Sequence, residues 1–151
     1  MERLPLQGGD NPEHSQPQGE HPTRQHFLFG AWSFDIDQAQ AIIGERPRPT
    51  HPLPVEPWAR AYGLDELDNP NKVPLIGPGP GFNRHYAMTT DLTDPVMVAM
   101  LRDQKTSQDC PLLIDGTHRL YRAHQEGIAE LPAYVLTVEE SLAIREELQY
   151  H

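Results

Sequence analysis

A chain of 151 residues suits one domain with a modest core. Its formal charge of −10, from 12 Lys and Arg against 22 Asp and Glu, argues against a protein that coats nucleic acid non-specifically, because phosphate neutralisation needs an excess of cations. A local basic pocket in an acidic surface stays compatible with that balance. Cys110 is the single cysteine, which rules out an intramolecular disulfide and fits a reducing compartment. No apolar run reaches the roughly 18 residues of a membrane span, and the N-terminus has no apolar signal-peptide core, so a cytoplasmic protein is expected.

Residues 1–26 are rich in Pro, Gly, Gln and His and poor in large apolar groups, and so are expected to stay flexible. His14, His21 and His26 lack chelating spacing. A single domain is expected over 27–151. Phe27 to Ile36 alternates apolar and smaller or polar residues, which predicts one strand, interrupted near Gly30. Asp37 then reads as a helix N-cap, with a short helix over Gln38–Ile43 stopped by Gly44. Nine prolines between 45 and 82 deny that region a long regular element. A short helix fits Pro57–Tyr62, Val73–Ile76 fits an edge strand, and the rest is expected to be a long loop. Such a loop is either a fixed wrap over the core or a lid or binding segment.

Beyond Arg84, Asp94-Pro95 has the form of an N-cap and a first-turn proline, so Val96–Leu101 is predicted helical. Pro111–Ile114 reads as a short buried strand and Asp115-Gly116 as a turn. His118–Glu126 follows as a helix ended by Gly127, and Leu131–Leu136 as another strand. Thr137-Val138-Glu139-Glu140 is a capping-box pattern that opens a final helix over Val138–Leu148. The fold class is therefore α+β, a small mixed sheet with packed helices.

The residues with chemistry sit at the Asp115–Arg119 turn. The first turn of a helix has N–H groups without intrahelical partners and a partial positive charge, so an anion docks there. Gly116 has no side chain to block its approach, and Thr117 supplies a hydroxyl. His118 and Arg119 add a switchable and a fixed cation, and Arg122 follows one turn further on. Asp115 either holds Mg²⁺ through water or caps the turn. Asp35 and Asp37, leaving a strand end together, offer a general base. Arg84-His85-Tyr86 either reaches a nucleotide or lies in solvent. The Gly-Pro run 76–82 is not a P-loop, since its prolines lack donors and no Lys-Ser/Thr follows.

Asp115-Gly116-Thr117-His118-Arg119, its Ala-containing helix, Gly127 and the strand Leu131-Pro132-Ala133-Tyr134-Val135 resemble the signature region of the ParB/sulfiredoxin-like superfamily, over residues 112–136. ParB-type proteins carry Gly-Glu-Arg-Arg at this turn and sulfiredoxins Gly-Cys-His-Arg; a free-serine kinase and nuclease-like proteins share the fold. The resemblance implies nucleotide phosphates held by Gly116, Thr117, His118 and Arg119; helical spacing adds Arg122 to that binding set. Thr117 stands where sulfiredoxin has its nucleophilic cysteine, and Cys110 lies seven residues earlier, which argues against sulfinic-acid repair. The double-arginine form and a downstream helix-turn-helix are both absent, which argues against chromosome partitioning.

The expected function is a nucleotide-dependent enzyme of phosphoryl transfer or phosphodiester cleavage. Its cofactors would be a nucleoside triphosphate or diphosphate and Mg²⁺. Asp115, His118 and Arg119 would be catalytic, with Asp115 as the metal ligand. Two alternatives stay open: a non-catalytic regulatory module, contacting a protein partner through the proline-rich loop, and a metal-dependent nuclease.

Overall fold

The long apolar run Val96-Met97-Val98-Ala99 organises the molecule, because it sends alternate residues into two separate cores. In the computed structural model, which describes residues 26–29 and 32–147, it belongs to a central strand rather than a helix. Val96 and Val98 join Leu113, Leu131, Tyr62 and Leu120 on one side. Met97 and Ala99 join Phe34, Ile36, Leu112, Ile114 and Ile144 on the other. A strand separates its side chains this way with period two; a helix would bury only one stripe of the run.

The described elements, in chain order, are β1 (His26–Phe29), β2 (Trp32–Asp35), α1 (Ile36–Glu45), β3 (His51–Pro54), α2 (Val55–Ala61), α3 (Arg84–Ala87), β4 (Val96–Arg102), β5 (Asp109–Asp115), α4 (Thr117–Gln125), β6 (Glu130–Val135), α5 (Val138–Ala143) and β7 (Arg145–Glu147). This is an α+β architecture with two small sheets. One has order β3-β6-β4-β5 and the other β1-β2-β7. In the first, β4 pairs antiparallel with β5 and parallel with β6, and β3 is antiparallel to β6. Among the described residues no helix is long and apolar enough to cross a membrane.

Several expectations are corrected. The single strand over Phe27–Ile36 is an antiparallel pair, β1 and β2, with Phe27 opposite Phe34. Helix α1 begins at Ile36, so Asp35 is the N-cap, accepting from Gln38 N–H at 3.0 Å, and Asp37 lies in the first turn. The helix also runs past Ile43 and through Gly44 to Glu45. Helix α2 starts at Val55 rather than Pro57. Proline as its third residue costs nothing there, because the first four N–H groups have no helical acceptor.

Strand β3 places two prolines on a sheet edge, where a missing N–H is tolerated. Pro132 of β6 lies opposite Pro52, and β4 pairs with β6 only from Ala133 onward, so the proline removes no bond to β4. Val73–Ile76 is not a strand. Val96–Leu101 is the strand β4. The capping box at Thr137 and Glu140 forms as expected, but α5 stops at Ala143 and the chain turns into β7. Residues 1–25 of the expected flexible segment, and Leu148, lie outside the described residues.

Candidate functional site

Strand β5 ends at Asp115, and the chain turns directly into α4 through Gly116. That glycine has φ +125°, a left-handed conformation open to few other residues. A Cβ at this position would also stand 2.4 Å from Val96 Cγ1. The glycine therefore lets helix, strand and turn close on one another. Gly127, with φ +72°, ends the same helix as the sequence predicts. The helix's first internal bond runs from Leu120 N–H to Gly116 O at 2.9 Å, so the amides of its opening turn have no acceptor inside the helix.

A crevice of about 270 Å³ lies against this turn. Its floor is Ile114, Asp115, Gly116, Thr117 and His118. His26, Phe27 and Leu28 of β1, Ile36 of α1 and the Gly-Pro segment Pro78–Phe82 line the rest of it. Thr117 is half-buried, whereas Asp115 and His118 are buried. Gly116, Thr117, His118 and Asp115 are thus brought together as the sequence implies.

Arg119 and Arg122 are not among the residues lining the crevice. The Arg119 side chain is only 5 % exposed. Its guanidinium donates to the carbonyls of Asp94 at 2.7 Å and Pro95 at 2.6 Å, and to Asp115 Oδ2 at 3.4 Å. The cation expected beside the anion instead ties α4 to the entry of β4 and to the end of β5. The reason is geometric. At the third helical position the side chain leans back over the turn, and that turn faces the carbonyls ahead of β4. Arg122 donates to the Thr90 carbonyl and, at 2.8 Å, to Glu126.

His118 packs on the end of the Gly-Pro segment. Its ring stacks on Phe82 with centroids 5.0 Å apart and planes 11° apart, and Tyr86 meets it edge-on at 4.9 Å. Its Nε2 accepts the main-chain N–H of Asn83 at 2.9 Å. In that arrangement Nε2 bears a lone pair and the ring is neutral.

Of the other candidates, Arg84 points outward to Asp68 at 2.5 Å, and this contact holds the Asp68 carboxyl below its ordinary range. Asp35 serves as the cap of α1. Cys110 is exposed on β5, and its seven-residue separation from Thr117 stands along the strand. Among the described residues no three His, Cys, Asp or Glu side chains converge as a metal site.

Sequence reasoning missed Phe82 and Asn83 as companions of the turn; of the Arg84-His85-Tyr86 segment, Tyr86 reaches the turn by packing on His118. The only signal was the aromatic-polar-aromatic spacing just after the Gly-Pro run.

The class these elements define is an α+β protein whose crevice opens on a strand–glycine–helix turn. No family model, no curated protein and no solved structure matches the chain.

Proposed function

We propose that this chain binds a nucleotide, or a similarly phosphorylated small molecule, with its phosphates at the Asp115–His118 turn, in a domain of the ParB/sulfiredoxin-like type. The observation that carries this reading is the crevice of about 270 Å³ ending on the opening turn of α4. Amides there that lack helical acceptors, the helix dipole and the Thr117 hydroxyl are a set of donors suited to an oxyanion. Phe27, Leu28 and Phe82 give the apolar surface against which a base or sugar would rest. The volume is at the low end for a ligand pocket, so part of the ligand would lie in the open. Asp115 is the carboxylate that would hold Mg²⁺ through water beside the phosphates.

Phosphoryl transfer or phosphodiester cleavage is the chemistry such a complex would serve. The engagement of Arg119 with the Asp94 and Pro95 carbonyls, and of His118 Nε2 with Asn83 N–H, favours a second reading, a regulatory module that binds without turnover. In that reading Val73 and Leu75, both exposed on the proline-rich segment, are where a protein partner would sit.

Calorimetric titration with ATP, ADP, CTP and GTP, each with and without Mg²⁺, tests the binding. Saturable heat for at least one nucleotide supports it; no heat and no rise in melting temperature with any of them overturns it. Release of phosphate under the same conditions separates the enzyme from the module.

A further inference from the structure

We propose that His118 is a proton-operated latch on the Gly-Pro segment that lines the crevice. Neutral His118 ties the end of Pro78–Phe82 to α4 through the backbone of Asn83, and protonated His118 releases that tie.

In the segment from Gly77 to Asn83, Pro78 and Pro80 lack an N–H, and no side chain before Asn83 carries a hydrogen-bond donor. Within it, Phe82 N–H reaches Gly79 O at a long 3.4 Å. It meets α4 through the 2.9 Å bond from Asn83 N–H to His118 Nε2, the stack of Phe82 on the imidazole, and the edge contact of Phe82 with Tyr121 at 5.4 Å; of these, the bond is the contact that a proton on Nε2 breaks. The Asn83 carboxamide also caps α3, accepting Tyr86 N–H at 2.9 Å. Through Asn83, His118 is therefore joined to both the end of the Gly-Pro segment and the start of α3, whose Tyr86 packs back on the same ring.

An imidazole Nε2 accepts a hydrogen bond only while it carries a lone pair. Protonation turns it into a second donor, aimed at the Asn83 N–H, so attraction becomes repulsion. Imidazole is also the side chain that ordinarily changes charge between about pH 5 and 8. Charged and titratable groups of several neighbouring elements surround the crevice and the ring. Asp115, at the end of β5, is bonded by Arg119. Arg122, on α4, is taken up by Thr90 and Glu126. His26 of β1 lines the crevice. On α3, Arg84 and His85 are exposed, with Arg84 on Asp68, and Tyr86 contacts the ring.

The latch takes its purpose from the binding reading above, but it is measured on the ligand-free chain. Absence of nucleotide binding therefore leaves its test intact. The experiment follows the imidazole nitrogens of His118 and the hydrogen exchange of the Asn83 amide by NMR from pH 8 to pH 5, corrected for intrinsic exchange. Protection of Asn83 is expected to fall about fivefold to tenfold in step with the titration of His118, the weight of one net hydrogen bond. His118→Phe, which keeps the stack and removes the acceptor, should leave Asn83 unprotected at every pH. His118→Gln, which keeps an acceptor that does not titrate, should make the protection independent of pH.

Three results overturn the latch: protection unchanged through the His118 titration, His118 neutral until the protein unfolds, or wild-type protection in His118→Phe. If the phenylalanine variant does not fold, the wild-type titration decides alone.

Discussion

Gly116 and Val96 are in such close apposition that a methyl group on the glycine would stand 2.4 Å from Val96 Cγ1 and 2.7 Å from Val96 Cβ. Val96 is the first residue of the central strand and is completely buried. Neither partner can retreat, because the strand is paired on both sides and α4 is packed on the core. Gly116→Ala is therefore expected to combine overpacking with an unfavourable positive φ, costing about 2–4 kcal/mol. A urea titration checks this through the shift of its midpoint. A loss below about 1 kcal/mol would mean that the turn relaxes freely, and that glycine is not held there by packing.

The turn shows which parts of the molecule were legible in the sequence. Asp-Gly after a short apolar strand, a helix with Leu120 and Ala123 inward and a left-handed Gly127 are local signals, and all of them held. The central strand was misread because its local and global signals conflict. Asp94-Pro95 is good N-terminal helix chemistry, but Val96–Ala99 is buried on both faces between two cores, and only a strand serves both. The hairpin of β1 and β2 was hidden because period two does not reveal where a chain reverses. The directions of His118 and Arg119 were illegible for a related reason. Each is set by a distant segment, Phe82–Asn83 in one case and Asp94–Pro95 in the other, and no local spacing encodes either meeting.

Arg119 links three pieces of chain with one planar group, donating to two carbonyls ahead of β4 and to Asp115. Arg119→Met should cost about 3 kcal/mol, because two part-buried carbonyls and a buried carboxylate lose their cation together. Arg119→Lys keeps the charge but lacks the fork, and about 1–2 kcal/mol is expected. Chemical denaturation measures both. The same lysine variant, well below its melting temperature, should bind nucleotide within about threefold of wild type, since the guanidinium does not line the crevice. A loss of a hundredfold or more in the folded lysine variant would instead place the cation at the ligand.

Glu140 makes acid stability measurable. Its carboxylate is 6 % exposed and accepts from Arg48 at 2.5 and 2.9 Å and from Arg46 at 3.2 Å, while closing the capping box of α5. The Arg48 hydrogen bonds, opposed by burial and aided by Thr137 N–H and Arg46, hold its pKa at about 2 against an ordinary 4.5. The folded state thus binds this proton less readily than the unfolded chain. The stabilisation is complete above about 4.5 and is lost as pH falls through about 2. It is worth about 2–3 kcal/mol. The stability gap between wild type and Glu140→Gln should be widest at neutral pH and narrow steadily below that upper bound. Denaturation curves at pH 7, 4 and 3 check this, and a gap that does not change with pH would mean that the arginine cluster contributes no charge-dependent stability.

Thr117 separates anion binding from folding better than any other residue of the turn. It is half-buried, opens α4 and lines the crevice. A carboxylate at the first position of a helix is favourable by about 0.3–1 kcal/mol, so Thr117→Glu should fold as well as wild type. The same charge would occupy the site proposed for phosphate and repel a second anion, with a cost of at least about 1.4 kcal/mol, or tenfold in affinity. Thr117→Ala removes only the hydroxyl bond and should lose about fivefold. The order wild type, alanine, glutamate in affinity, with melting temperatures that do not follow it, is the expected calorimetric result. If the glutamate variant binds nucleotide as tightly as wild type, the phosphates lie elsewhere and the crevice serves another ligand.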